Sequence, residues 1–186
     1  MIEVSTEAIE RVEALLAGVP KGAERALSNA MNRGLSKMKT GAAKKVREVY
    51  TVQNSAINEA TNTRIQKAST GNLAGYIHFS GHKIPLYKFK VTPKAPGIRK
   101  QVTAAVKKGG GTAFENAFIA QMKSGHIGVF ERETSKRFPI EEKMGLAMAQ
   151  MVGNLNVMTE LEKEAQKTVD ERIVHEIDRL LNSYGG

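Results

Sequence analysis

The chain has 186 residues, 41% of them apolar, with 28 Lys and Arg against 19 Asp and Glu and no cysteine. That size suits one domain burying about 70% of its unfolded surface, and the missing thiol excludes disulfides, thiolate metal sites and cysteine nucleophiles. No apolar run approaches the roughly 20 residues of a membrane helix, and the acidic, amphipathic start differs from a secretory leader. The expectation is a soluble, unexported protein of a reducing compartment with no membrane partner.

Taken in order, the chain opens with a short amphipathic helix, Val4 to Leu16, in which Ile9, Val12, Leu15 and Leu16 recur at helical spacing. Ser5 or Thr6 is its cap, and Gly18 and Pro20 end it. A much longer helix follows from about Lys21 to Val52. Its apolar stripe runs through Leu27, Met31, Leu35, Met38, Ala42, Val46 and Val49, with Arg25, Arg33, Lys37, Lys44 and Arg47 opposite. Gln53-Asn54-Ser55 breaks it, and Ser55 to Ala60 adds a turn or two.

From Thr61 to Lys108 the texture becomes that of strands. Thr63–Ser69 and Leu73–Phe79 alternate around a turn at Thr70-Gly71-Asn72. Ile84 to Phe89 is apolar but holds Pro85, which places it at an edge or in a loop. Thr92 to Gly97 reads as an exposed loop, Lys100 to Lys107 as a strand, and Gly109-Gly110-Gly111 as a connection. Two short apolar runs, Ala117–Ala120 and Ile127–Phe130, flank a turn containing Ser124 and Gly125, which is hairpin chemistry. After Phe138-Pro139-Ile140 a helix is expected from Glu141, with two acids at its positive end, to Val152. A last helix runs from Asn156 to about Asn182, and Tyr184-Gly185-Gly186 reads as a frayed end.

The pattern is α+β: a central antiparallel sheet, or a small barrel-like one, flanked by long N- and C-terminal helices. One domain over 1–186 is expected, divided into helices at 1–60, a basic strand-rich core at 61–140 and helices at 141–182.

Catalytic chemistry finds little support. His126 stands at a turn without a ligand-spaced partner, and His78, His82 and His175 form no metal-ligand spacing with one another. Gly109-Gly110-Gly111-Thr112 lacks the Lys-Ser/Thr pair of a phosphate loop, and no Gly-x-Ser-x-Gly occurs. No catalytic, cofactor-binding or metal residue is assigned, and an enzyme is not expected.

Charge is the stronger signal. The net is −3 over residues 1–20, +6 over 21–50, +9 over 51–110, +1 over 111–140 and −4 over 141–186. Lys83, Lys88, Lys90, Lys94, Arg99, Lys100, Lys107 and Lys108 are interleaved with Tyr76, Phe79, Tyr87 and Phe89. Cations neutralise phosphates and aromatics stack on bases, so these residues are candidates for DNA or an acidic partner. The aromatics also lie at strand spacings expected of a core.

The run Phe118-Ile119-Ala120-Gln121-Met122-Lys123-Ser124-Gly125, then Gly128-Val129-Phe130-Glu131-Arg132 and Phe138-Pro139-Ile140, resembles the prophage minor tail protein Z family, the lambda-like tail-completion proteins. Gly109-Gly110-Gly111-Thr112 and the long helix with Ala26, Asn29, Met31, Asn32 and Arg33 are similar to the family as well, and the resemblance covers most of 20–182. The chain departs after Arg132, where Glu133-Thr134 replaces the glycine often found in related neck proteins.

The resemblance implies a virion component at the head-proximal, neck end of a phage tail, made in the host cytoplasm. It would complete the tail with the tail terminator and other tail or neck proteins and prepare it for head joining. A homo-oligomer, such as a hexameric ring, and contact with DNA in the lumen are consistent with it. Lys123, His126, Arg132 and Arg137 are the expected interaction hairpin. The alternative is a basic architectural or regulatory DNA-binding protein.

Overall fold

A computed structural model describes residues 4–98 and 100–184. The chain forms an α+β structure whose contacts cluster into two compact units, each made of separated segments. One unit comprises residues 1–42, 63–78 and 155–186, and the other 43–62 and 79–154. The chain therefore passes from one unit to the other four times.

The first unit is helical. Helix α1 (Thr6–Leu15) starts at Ser5, whose side chain accepts a hydrogen bond from the Ala8 N–H at 3.2 Å, as the capping pattern predicts. Helix α2 (Gly22–Val49) begins in this unit, and helix α5 (Leu155–Tyr184) lies wholly within it. The two run antiparallel. Gly41 faces Leu161, Lys37 pairs with Glu164 at 3.9 Å, Asn29 bonds Glu176 at 3.0 Å, and Arg25 donates to the Tyr184 hydroxyl at 3.1 Å. Val12 and Leu16 pack with Ala26, Leu27 and Ala30 of α2 and with Val169, Ile173 and Leu180 of α5 in one core. Asn32 of α2 pins the loop after the first strand by two bonds, donating to the Ala68 carbonyl at 2.9 Å and accepting from its N–H at 2.8 Å.

One buried position on α5 is not apolar. The inward residues are Val157, Leu161, Ala165, Val169, Ile173, Glu176 and Leu180, a helical stripe in which Glu176 takes a core slot at 1% exposure. Its carboxylate accepts from Arg179 Nη2 at 2.7 Å and Nε at 3.0 Å, and from Asn29 Nδ2 at 3.0 Å; Arg172 Nη2 lies 2.6 Å from the other oxygen. Burial pushes the carboxyl pKa up, but the bonds from Arg179 and Asn29 and both guanidinium charges outweigh it, leaving the group below its ordinary value of 4.5.

Strands β1 (Thr61–Gln66) and β2 (Tyr76–Gly81) pair around the expected turn, closed by mutual backbone bonds of Ser69 and Asn72. Both strands lie about two residues away from the segments expected from alternation. β2 starts only after Gly75, where a Cβ would lie 2.8 Å from a Leu35 methyl.

The second unit carries the remaining strands in three small antiparallel sheets. β3 (Lys83–Pro85) pairs with β10 (Met144–Ala147). β4 (Lys90–Thr92), β5 (Val102–Ala105) and β6 (Thr112–Phe114) form a second sheet; β7 (Ala117–Gln121), β8 (Ile127–Arg132) and β9 (Ile140–Glu142) form a third. Helix α3 (Asn54–Ala60) and the short α4 (Met148–Val152) pack in the same unit. Phe89, Ile84, Val91, Val102 and Val129 are its most buried apolar side chains, with Met148 and Met151 of α4. Gly145 lets β10 pass the Phe89 ring, which a Cβ there would meet at 2.4 Å.

The helix expected from Glu141 does not form. Residues Ile140–Glu142 and Met144–Ala147 form strands, and the helix starts only at Met148, where Gln150 Oε1 accepts from the Ala147 N–H at 2.9 Å. Backbone pairing explains the difference. Ile140, Glu141 and Glu142 pair with Arg132, Glu131 and Phe130, the Lys143 N–H bonds Val129, and the Lys143 carbonyl accepts from Leu86. The strand expected over Lys100 to Lys107 is shorter, Val102–Ala105, and the expected frayed Gly185-Gly186 lies outside the described residues.

Glu176→Gln should lower stability by about 1–3 kcal/mol, since it leaves two arginines facing a neutral amide. Because the folded carboxyl titrates below 4.5, its contribution is fully present above that value and is lost as pH falls through the lower folded pKa. Urea melts of the two proteins across acidic pH should therefore converge. A parallel offset at every pH would show that Glu176 is not the titrating group.

Candidate functional site

The hairpin from β7 to β9 is built mainly by its backbone. Ala117 through Gln121 face Glu131 through Ile127 in unbroken register. The turn closes with Met122 N–H bonded to the His126 carbonyl at 2.7 Å, and Gly125 takes φ 85°, a left-handed value that favours glycine. Cross-strand pairing places Phe118, Phe130 and Glu142 in one row on one face, since Phe118 is opposite Phe130 and Phe130 opposite Glu142. Ile119 and Val129 point to the other face and into the core.

Along the first face the side chains form a ladder. His126 Nε2 lies 2.8 Å from Glu142 Oε1, and its ring stands edge-on to Phe130 at 6.4 Å. Phe130 stacks on Phe118 at 6.2 Å, and the Arg132 guanidinium lies 4.7 Å over the Phe118 ring. Gly128 makes room for the histidine end, because a Cβ there would meet Glu142 Oε1 at 2.6 Å and the Phe130 ring at 3.0 Å.

The four expected interaction residues thus fall at two ends of the hairpin. Lys123 and His126 are exposed at the turn, while Arg132 closes β8, six residues further and about 20 Å along the strand. Arg137 lies in the exposed loop beyond, with its guanidinium 5.5 Å over the Phe138 ring. A cleft of about 610 Å³ opens at the arginine end between Glu115–Phe118 and Arg132–Ser135. On the neighbouring strand Lys143 ion-pairs with Glu131, and that hydrogen bond, against partial desolvation, holds the ammonium above its ordinary value of 10.5.

The lysines singled out above, Lys83, Lys88, Lys90, Lys94, Lys100, Lys107 and Lys108, all fall in the second unit, while Arg64 and Lys67 belong to the first. Lys90 stands on the outer face of β4, in the same row as Ala105 of β5. Lys107 and Lys108 follow β5 beside the end of α2, where Tyr50 bridges Lys107, Lys108 N–H bonds Val49, and the Lys107 ammonium lies 6.0 Å from the Tyr50 ring. Lys83 and Lys107 border a cleft of about 710 Å³ that also takes in Lys143, Glu141 and Glu142. Lys88 is half-buried in the turn Leu86–Lys88, Lys94 and Lys100 are exposed, and Arg99 lies outside the described residues. Among the described residues none of these seven lysines has a carboxylate within 4.0 Å.

The aromatics divide, with Tyr76 exposed at 58% and Phe79 half-buried on β2, while Phe89 and Tyr87 lie nearer the lysines. Phe89 is core at 1% exposure and cannot stack on a base, and half-buried Tyr87 donates its hydroxyl to the Lys94 carbonyl at 3.0 Å. Two features were missed from sequence, Glu142 as the partner of His126 and the buried Glu176 with its arginines. The second had a signal: a carboxylate in an apolar stripe with Arg172 four residues before and Arg179 three after.

Regrouping the chain sharpens the electrostatics. The helical unit has twelve Lys and Arg against twelve Asp and Glu; the strand-rich unit has sixteen against seven, and so carries the whole net +9. Among the described residues no group of three His, Cys, Asp or Glu is arranged to hold a metal, and no helix is long and apolar enough to cross a membrane.

A family model described as prophage minor tail protein Z matches residues 5–184. No curated protein and no solved structure matches the chain. The chain belongs to the prophage minor tail protein Z family and is a phage tail protein of the virion.

Phe130→Ala should cost about 3–5 kcal/mol, as removal of a buried ring does, and half-buried Phe118→Ala less. Chemical denaturation of both variants checks this ordering. Equal and small losses would mean that the hairpin face does not anchor the unit.

Proposed function

We propose that this member of the prophage minor tail protein Z family is a structural, non-catalytic tail-completion protein. It acts at the head-proximal end of a long-tailed phage tail, with the tail terminator and other tail or neck proteins, and prepares the tail for head joining. The observation that carries this reading is the family match across residues 5–184. The division into a neutral helical unit and a strand-rich unit of net +9 supports it, because a neck component lies on the path of a polyanion.

In this reading several copies assemble, as a hexameric ring would require, with unpaired lysines such as Lys90, Lys107 and Lys108 available to phosphates passing the lumen. Lys123 and His126 at the hairpin turn, and Arg132 and Arg137 at its other end, serve as contacts to neighbouring tail proteins. The test is electron microscopy of particles made with this gene deleted. Full-length tails lying apart from DNA-filled heads, or joined but non-infectious particles, are expected; normal infectious particles would overturn the reading.

The net +9 of one unit also favours a second reading, a basic architectural or regulatory DNA-binding protein. It expects tight binding to plain duplex DNA that weakens steeply with salt, together with normal particles in the deletion.

A further inference from the structure

A second set of cations lies in the helical unit, apart from the lysines above. Between α2 and α5 two clefts of about 500 and 470 Å³ share Arg33, Ser36 and Arg172 as walls. The smaller is faced by four cations, Arg33, Lys67, Arg172 and Arg179, and by one carboxylate, Glu176. Its wall is thus strongly positive inside a unit whose charges balance as a whole.

The arrangement is preorganised. Glu176 fixes Arg172 and Arg179 by short bonds while using only part of each guanidinium, so N–H groups remain over. Arg33 and Lys67 are exposed and, among the described residues, neither has a carboxylate within 4.0 Å. Neutral donors around them are partly committed, one amide N–H of each asparagine and the hydroxyl proton of the serine being used. Asn29 donates to Glu176, Asn32 to the Ala68 carbonyl, and Ser36 to the Asn32 carbonyl at 2.9 Å. The donors left to meet a ligand are thus mainly cationic, four charged groups beside the spare amide N–H groups, which favours an oxyanion over a sugar or a base edge.

We propose that this cleft binds a phosphate group, with Arg33 and Lys67 as its direct contacts and Arg172 and Arg179 held in place by Glu176. The phosphate comes either from free inorganic phosphate or from a DNA backbone. The site rests on no part of the neck placement.

Calorimetric titration of the full chain with inorganic phosphate, and separately with a short DNA duplex, tests it. The comparison is wild type against the double variant R33A/K67A and a charge-matched control, K39A/K163A, whose lysines lie on the same helices outside both clefts. Loss of two charge-assisted contacts should weaken binding by about tenfold or more in R33A/K67A and leave the control near wild type. Loss seen with inorganic phosphate identifies a free-anion site, and loss seen with duplex alone identifies a backbone site. Thermal melts show whether each variant is folded, and R33K/K67R should restore binding if charge is what counts. Absence of binding to both probes, or equal weakening in the two double variants, would overturn the proposal.

Discussion

The antiparallel pairing of α2 with α5 depends on a carboxylate that would be intolerable alone. Removing a charged group from water costs several kcal/mol unless it is paired and hydrogen-bonded. Glu176 meets that condition with two cations from its own helix, one turn to each side, and one amide from the facing helix. Of these three partners only the amide of Asn29 carries register information, because Arg172 and Arg179 travel with Glu176 whatever the helices do. The apolar faces repeat at nearly four residues on both helices and would accept a slip of one turn, about 5.4 Å. Such a slip would withdraw Asn29 from the carboxylate, so the polar contact selects one alignment where the apolar stripes would allow several.

In the strand-rich unit close backbone passage plays the corresponding role. Gly145 lies against the Phe89 ring, and Gly128 leaves room within its own sheet for Phe130 and Glu142, so side chains settle over backbone at points where no Cβ could stand. The hairpin face that results is neither a plain core nor a plain surface. Its aromatic row is capped by Arg132 at one end and by the His126–Glu142 pair at the other. The rings hold the charged groups in fixed positions while leaving their polar edges open, which suits a contact made with other proteins more than a reacting centre.

The long elements were legible because their signals were long. α1, α2, α5 and the β7–β8 hairpin carry helical stripes or alternating runs with caps and turns at their ends, and each formed within a few residues of its expected bounds. The segment after Pro139 misled because Glu141-Glu142 suits the positive end of a helix on local grounds. Pairing of Ile140–Glu142 with β8 overrode that preference, a tertiary effect no short window contains. Glu142 became the partner of a histidine sixteen residues away, and Glu176 a core residue, for the same reason. The three consecutive segments seen in sequence also differ from the two units formed by the contacts, since α2 and the β1–β2 pair each contribute to both.

That regrouping changes what the charge pattern means. Read along the chain, acidic ends and a basic middle suggest that the helices of one copy meet the strands of the next. Grouped by contacts, the acidic residues of α1 and α5 share a unit with cations of α2, including Arg25, Arg33 and Lys37, and that unit as a whole holds twelve Lys and Arg against twelve Asp and Glu. The excess of the strand-rich unit has no counterpart of equal size elsewhere in the chain. A ring built from this protein alone would concentrate that excess, and like charges brought within a Debye length, about 8 Å at physiological salt, repel. For the proposed assembly this favours an anionic component beside the chain, DNA or the acidic face of another tail protein.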